Sequence, residues 1–326
     1  MKYQVNYKYQ YPIRLLYGFL NVDGENHQIP IAFPAKTDWG EIIPDEKFVI
    51  NTGEDIYIEL GWTAIQTYQT YYFRAKLPIP SEVIRSPLFT LIIGLGNLGE
   101  ISLWLYNDTK NILLLYTHGV NISDKVTDDM ISKVHFIDVH GNHIKSLEEL
   151  CKNDLHLFND YKRLNTINVN CIENRMKRYS YRYDIKIKQT HENIIVSDFL
   201  FDGTFDKIST NELCSYHEAG KVRRLLISWL MRDTEDVDEF TAYFWFNEEE
   251  ITKIFERFYW AHPEIKADFI IRIDAENKKY ELALYRQGLK EPVVIPESAY
   301  QLIVFKNKFE DYRSENYNQP RGAWIW

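Results

Sequence analysis

The sequence predicts an α+β protein of two tandem lobes, each a mainly antiparallel β-sheet with a helix packed on one face. Three observations carry this prediction. Aromatic segments with period-two alternation dominate the chain, the order of its motifs occurs twice, and the few helical patterns are short and capped. The first copy reads Gly61-Trp62, an aromatic strand through Tyr71-Tyr72-Phe73, a proline-bounded stretch Leu77 to Ile84, then strands Phe89 to Ile93 and Ile101 to Tyr106. The second reads Ser228-Trp229, then Tyr243-Phe244-Trp245-Phe246, the acidic start Asn247-Glu248-Glu249-Glu250-Ile251, then Phe269 to Ile273 and Tyr280 to Tyr285. Upstream, Phe19-Leu20-Asn21-Val22-Asp23-Gly24 rhymes with Phe199-Leu200-Phe201-Asp202-Gly203. A repeat this long is one folding unit used twice. Two similar lobes offer a groove or an extended face, which suits binding more than chemistry.

The expected domains are a β-rich lobe over 1–145, a helical and polar connector over 146–178, and a second β-rich lobe over 179–326. In the first lobe, Tyr3 to Tyr11 alternates and Ile13 to Val22 forms a second run turned by Asp23-Gly24. The breaker-rich stretch Pro30 to Pro44 is expected as loop. Ile56 to Thr63 pairs with Tyr68 to Lys76, Ser81 caps a helical turn stopped by Pro87, and Phe89 to Tyr106 forms a hairpin with Ile112 to Tyr116 alongside. In the connector, Ser146-Leu147-Glu148-Glu149 reads as a capping box, with Glu149 reaching back to the Ser146 amide. That helix is expected to run through Leu150, Leu155 and Phe158, followed by an Asn-rich connector from Asn165 to Asn174. In the second lobe, Tyr179 to Lys188 alternates. Asn247 caps a helix to Tyr259 whose stripe is Ile251, Ile254, Phe255 and Phe258, and strands at 267–274, 279–286 and 300–306 complete the sheet. The aromatic tail Tyr317 to Trp326 is expected to dock.

Composition narrows the function classes. The 326 residues carry a formal net charge of -9, so the chain is not suited to coating a nucleic-acid backbone, where clustered Lys and Arg are rewarded. Its basic cluster, Arg175-Met176-Lys177-Arg178, reads as a solvated linker. Cys151, Cys171 and Cys214 are odd in number and lack CxxC spacing, which indicates neither a disulfide framework nor a zinc cluster. No apolar stretch approaches the ~20 residues of a spanning helix. The expectation is a cytoplasmic chain, or a periplasmic one if a leader has been removed.

Motifs for chemistry are weak. Gly94-Leu95-Gly96-Asn97-Leu98-Gly99 matches G-x-G-x-x-G, but Glu100 to Tyr106 after it alternates as strand, whereas a dinucleotide site needs a helix start there. The loop is expected to be a turn, and no cofactor is expected. His135, His140 and His143, with Asp138 nearby, offer a His-His-carboxylate set for zinc, against the plainer reading of histidines facing water. Cys214 lies near His217, but near neighbours in sequence seldom make a catalytic pair. The densest acidic run, Asp233-Thr234-Glu235-Asp236-Val237-Asp238-Glu239, reads by default as a solvated hairpin loop, and in a functional role it would steer a basic partner. Tyr68, Tyr71 and Tyr72, and Tyr243, Trp245, Tyr259 and Trp260, exceed what sheet packing needs; about half are expected to be core and the rest anchors for a partner. The candidate partner-binding set is Asp233, Glu235, Asp236, Asp238, Glu239, Tyr68, Tyr71 and Trp260.

Gly61-Trp62, Tyr72-Phe73, Leu77-Pro78, the turn with Gly96 and Gly99, and Ile101-Ser102-Leu103-Trp104-Leu105 together resemble an uncharacterised bacterial family, domain of unknown function twenty-nine thirty-one. Tyr11-Pro12-Ile13-Arg14-Leu15-Leu16-Tyr17-Gly18 and Asp38-Trp39-Gly40-Glu41 also look like that family. The resemblance covers most of the first lobe, and the second lobe resembles a diverged copy. Members are typically small lipoproteins of Gram-negative bacteria, and some are immunity partners of phospholipase effectors of type VI secretion. The given sequence opens without a lipobox, so a lipoprotein leader is not expected from it. The resemblance supplies no catalytic residues. It implies an immunity role, and the expected function is a non-enzymatic protein that occludes a toxin's active site or stops it engaging its substrate; the partner is that toxin, with no nucleic acid and no membrane span expected. The rival expectations are a metal-dependent hydrolase using the His135/His140/His143 region and a ligand-binding envelope protein.

Overall fold

The structure, a computed structural model, describes residues 2–7, 13–29, 35–36, 48–49, 56–65, 67–78, 90–106, 110–133, 136, 141–157, 171–233 and 236–308. Strands predominate over helices, in an α+β arrangement of largely antiparallel sheets. The chain divides into two compact units, Met1–Arg178 with Phe199–Asp206, and Tyr179–Asp198 with Lys207–Trp326.

The first unit contains β1 (Lys2–Tyr7), β2 (Ile13–Val22), β3 (Glu25–Gln28), β4 (Ala35–Lys36), β5 (Phe48–Val49), β6 (Ile56–Ala64), β7 (Gln69–Lys76), β8 (Thr90–Leu95), β9 (Glu100–Tyr106), β10 (Lys110–His118) and β11 (Val120–Asn121). Among the described residues, α-helices follow: α1 (Asp128–Lys133), α2 (Leu147–Leu157) and α3 (Cys171–Met176). One sheet has the order β11-β7-β6-β2-β3, and a second has β4-β1-β8-β9-β10, with β1 parallel to β8 and β5 antiparallel to β1. Alternation aims Ile58, Leu60, Trp62, Tyr71 and Phe73 of the first sheet at Leu91, Ile93, Leu95, Ile101, Leu103 and Leu105 of the second, in one buried cluster. Burial of each large apolar chain there is worth roughly 1.5–3 kcal/mol. The opposite parity of β8 and β9 presents Ile92 and Trp104 to Ile172 and Met176 of α3. Leu150 of α2 joins Leu16, Ile131, Phe136 and Ile144 in a third cluster.

The second unit contains β12 (Tyr179–Ile187), β13 (Glu192–Leu200), β14 (Phe205–Ser209), β15 (His217–Ala219), β16 (Val222–Asp233), β17 (Asp236–Phe246), α4 (Glu248–Tyr259), β18 (Ala267–Ile273), β19 (Tyr280–Tyr285), β20 (Val293–Ile295) and β21 (Tyr300–Lys308). The tip of the β13–β14 hairpin, residues 199–206, groups with the first unit. One sheet has the order β15-β12-β18-β19-β20, with β12 parallel to β18; in the other, β13, β16, β17 and β21 lie in that order. Phe255 and Tyr259 of α4 pack on Tyr179, and Phe255 also meets Tyr181 and Phe269. Asn247 caps α4 through Oδ1, which accepts the Glu250 amide at 3.1 Å.

Local expectations meet the structure unevenly. Ser146 does cap α2, accepting the Glu149 amide at 3.1 Å, but Glu149 reaches back to the Lys145 amide (2.8 Å) rather than to that of Ser146. The end of the Asn-rich stretch is helical, because Ile172 and Met176 have a hydrophobic wall to cover. Arg175-Met176-Lys177-Arg178 is not a solvated linker. Arg175 is buried with its guanidinium 5.4 Å from the Phe201 ring centroid, and Arg178 Nη1 donates to buried Asp202 Oδ2 at 2.8 Å. Nor is the acidic run loop throughout: Asp233 ends β16, Asp236 to Glu239 open β17, and the two strands pair from Arg224↔Trp245 out to Asp233↔Asp236, while Thr234 and Glu235 lie outside the described residues. The helical turn at Ser81 and the tail Tyr317 to Trp326 lie outside the described residues.

Candidate interaction face

Strands β16, β17 and β21 are in register without a shift, and this sorts their side chains into two rows. The inner row holds Leu225, Ile227, Trp229, Phe240, Ala242, Phe244 and Phe246, all buried. The outer row places Leu226 beside Tyr243 and Ile303, and Ser228 beside Thr241 and Phe305, with Trp245 beside Gln301. Tyr243 and Trp245 stack at 5.7 Å between centroids and 16° between planes, and Phe305 meets Tyr243 edge-on at 5.5 Å. Ile303 and Phe305 keep 47% and 43% of their surface exposed, and Tyr243 and Trp245 are half-buried. Ser228 and Thr241 hydroxyls bond each other at 3.1 Å, which satisfies the polar atoms nearest the rings. The result is a stacked, partly exposed aromatic row on the outer face of the sheet.

The predicted acidic residues sit at one end of this sheet. Asp238 belongs to the parity of the inner row and is held by Lys306 Nζ at 2.7 Å, so much of its charge is locally neutralised. Glu239 falls in the outer row opposite Leu230. Asp233 and Asp236 are register partners at the end of the β16–β17 ladder, and Glu235 lies outside the described residues. Of the predicted aromatics, Trp260, just past α4, is the most exposed at 86%. Tyr68 occupies a turn at φ +58 and is exposed. Tyr71 is not available as a surface anchor, because it is buried and stacked on Trp62 at 5.7 Å. The outer row of β17 and β21 was missed as a set. The run Tyr243-Phe244-Trp245-Phe246 is aromatic at every position, so period two leaves no trace in it.

The glycine turn is described in full, and of the histidine region His143 is described. Gly96 to Gly99 link β8 to β9, and Glu100 folds its carboxylate back so that Oε2 accepts the Leu98 amide at 2.8 Å. A Cβ on Gly96 would lie 2.3 Å from that oxygen, and Gly99, at φ +90, lies against the Tyr71 ring. The glycines therefore serve close approach around a buried carboxylate, and the Leu98 amide is already taken by that carboxylate. Burial pushes the Glu100 carboxyl above its ordinary value, opposed by the Leu98 amide and by His118. Its contribution to stability is present below the unfolded carboxyl pKa, about 4.3, and is lost as pH rises through the raised folded value. Glu100→Gln is therefore expected to raise Tm at pH 7, with the gap to the parent closing as pH falls toward about 4; thermal melts across that range read it directly.

His143 borders an open depression of about 530 Å³ with Asp128, Asp129, Ser132, Ile144 and Lys145, while His135 and His140 lie outside the described residues. Among the described residues no three His, Cys, Asp or Glu side chains are grouped to hold a metal, and no helix is long and apolar enough to cross a membrane. Cys214 is exposed, and the His217 ring packs against Tyr181 and Tyr183 at 5.2 and 6.1 Å. No family model matches the chain, and neither a curated protein nor a solved structure matches it.

Proposed function

We propose that this chain is a non-enzymatic immunity protein that binds a secreted bacterial toxin and occludes its active site. The carrying observation is the outer row Leu226, Tyr243, Trp245, Ile303 and Phe305. Tyr and Trp supply a large contact area at little rotamer cost and are the residue types most enriched in binding hot spots. A partner seated there would cover roughly 1,200–2,000 Å², the size of a stable complex. The net charge of -9 favours a basic partner surface, with Glu239 at the end of the aromatic row.

The toxin class, a type VI secretion effector and in some relatives a phospholipase, comes from the resemblance at Gly61-Trp62, Leu77-Pro78 and Ile101 to Leu105. The same proposal includes the two-lobe duplication. Its support is that β11-β7-β6-β2 and β21-β17-β16-β13 run in step, as do β5-β1-β8-β9-β10 and β15-β12-β18-β19-β20. Trp62 on Tyr71 (5.7 Å) also has its counterpart in Trp229 on Phe240 (5.6 Å).

If a secreted effector is encoded beside this gene, co-expression of the two is expected to restore growth that the effector alone arrests. Tyr243→Ala with Trp245→Ala should weaken the purified complex at least ~10-fold, about 1.4 kcal/mol, while leaving Tm within a few degrees. Full protection and unchanged affinity in that variant would remove the face from the proposal. Stoichiometric zinc together with hydrolytic activity would replace the immunity reading with the metal-dependent one.

A further inference from the structure

Strand β21 has the properties of an edge made to be paired. Among the described residues it is the outermost strand of its sheet, with β17 on one side only. It runs for nine residues in unbroken register, with neither a bulge nor a proline to blunt it. Natural sheets protect long edges with such devices, because an open row of amides and carbonyls recruits another strand. Of its two lysines, Lys306 and Lys308, both toward one end of the strand, Lys306 is committed to Asp238 at 2.7 Å.

We propose that β21 pairs antiparallel with β21 of a second copy, about a two-fold axis through Val304. The sequence of the strand is what selects this occupant. With Val304 opposite Val304, Ile303 of each chain falls beside Phe305 of the other, and Gln301 beside Asn307. Lys306 faces Leu302 and Lys308 faces Tyr300, so no like charges oppose each other. Moving the axis by one residue to Phe305 sets Ile303 against Asn307 and Val304 against Lys306, which breaks the apolar match. Self-complementarity of this kind is what an isologous interface requires. Edge pairing leaves the sheet faces open, so the Tyr243, Trp245 and Phe305 rows of two chains become one continuous surface. The inference stands independently of the toxin-binding proposal.

Sedimentation equilibrium of the full chain over a range of protomer concentrations tests it. The expected species has twice the 38.9 kDa of one chain. Ile303→Asp alone and Phe305→Lys alone should each give a folded monomer, with unchanged circular dichroism. The double variant should regain the dimer, because each Asp then faces the Lys of the other copy. A parent protein that stays monomeric overturns the proposal, as does a dimer indifferent to both single changes or a folded double variant that fails to recover. A dimer that forms only after removal of residues 309–326 overturns it too, since the chain's own end would then occupy the edge.

Discussion

Replacement of Asp202 by alanine is expected to cost about 3 kcal/mol of stability. Asp202 is fully buried, and its carboxylate accepts from Arg178 Nη1 (2.8 Å), the Thr204 amide (2.9 Å) and the Thr204 hydroxyl (2.6 Å). Its backbone is held as well. The carbonyl of Asp202 accepts from Trp104 Nε1 at 3.0 Å, and that of Gly203 accepts from Asn111 Nδ2 at 2.7 Å. Losing the carboxylate takes one acceptor from the Arg178 guanidinium and one from each of the two Thr204 donors. The figure sits at the low end of the range for broken buried pairs because the Arg178 side chain is 36% exposed and partly hydrated. Asp202→Asn keeps an acceptor for Thr204 and should cost about 1–2 kcal/mol. Urea unfolding with unchanged m-value reads both, and a loss under 0.5 kcal/mol for the alanine variant would refute the account.

The second large effect is a contrast between two tryptophans. Trp62 and Trp229 are both completely buried and both stack on an aromatic of the neighbouring strand. The Trp62 indole donates to the Gly96 carbonyl at 3.0 Å, whereas among the described residues no acceptor lies within reach of the Trp229 indole. Phenylalanine keeps the stack and removes the donor in each case. At Trp62 that breaks a bond and strands a carbonyl, while at Trp229 it removes an orphaned N–H. Trp62→Phe is therefore expected to cost about 1–3 kcal/mol more than Trp229→Phe in matched denaturant titrations. Equal costs would show that the Trp229 indole has a partner, such as an internal water.

What could be read in the sequence follows from which physical signal was local. Helix α4 carries its own cap, an acidic first turn and a stripe, so Asn247 to Tyr259 was legible almost to the residue. The β8–β9 hairpin was legible because its alternation survives on both sides of a glycine turn. The short strands β14, β15 and β20 were not, because they are held by neighbours distant in sequence rather than by their own composition. Charge misled at Asp233 to Glu239: the run looked like solvated loop, yet ten register pairs with β16 extend the ladder nearly to its end. The candidate face was half legible. Its aromatic residues were visible in number, but parity decides which of them meet solvent, and parity is fixed only by the partner strands.

The discontinuity of the first unit has a consequence during synthesis. Trp104, Asn111, Arg175 and Arg178 receive a turn that the ribosome delivers only with residues 199–206. The amino-terminal unit therefore cannot finish folding as it emerges; it waits with an open socket while β12 and most of β13 are still being translated. A nascent chain halted at residue 178 would leave that socket empty, open to any strand turn that passed.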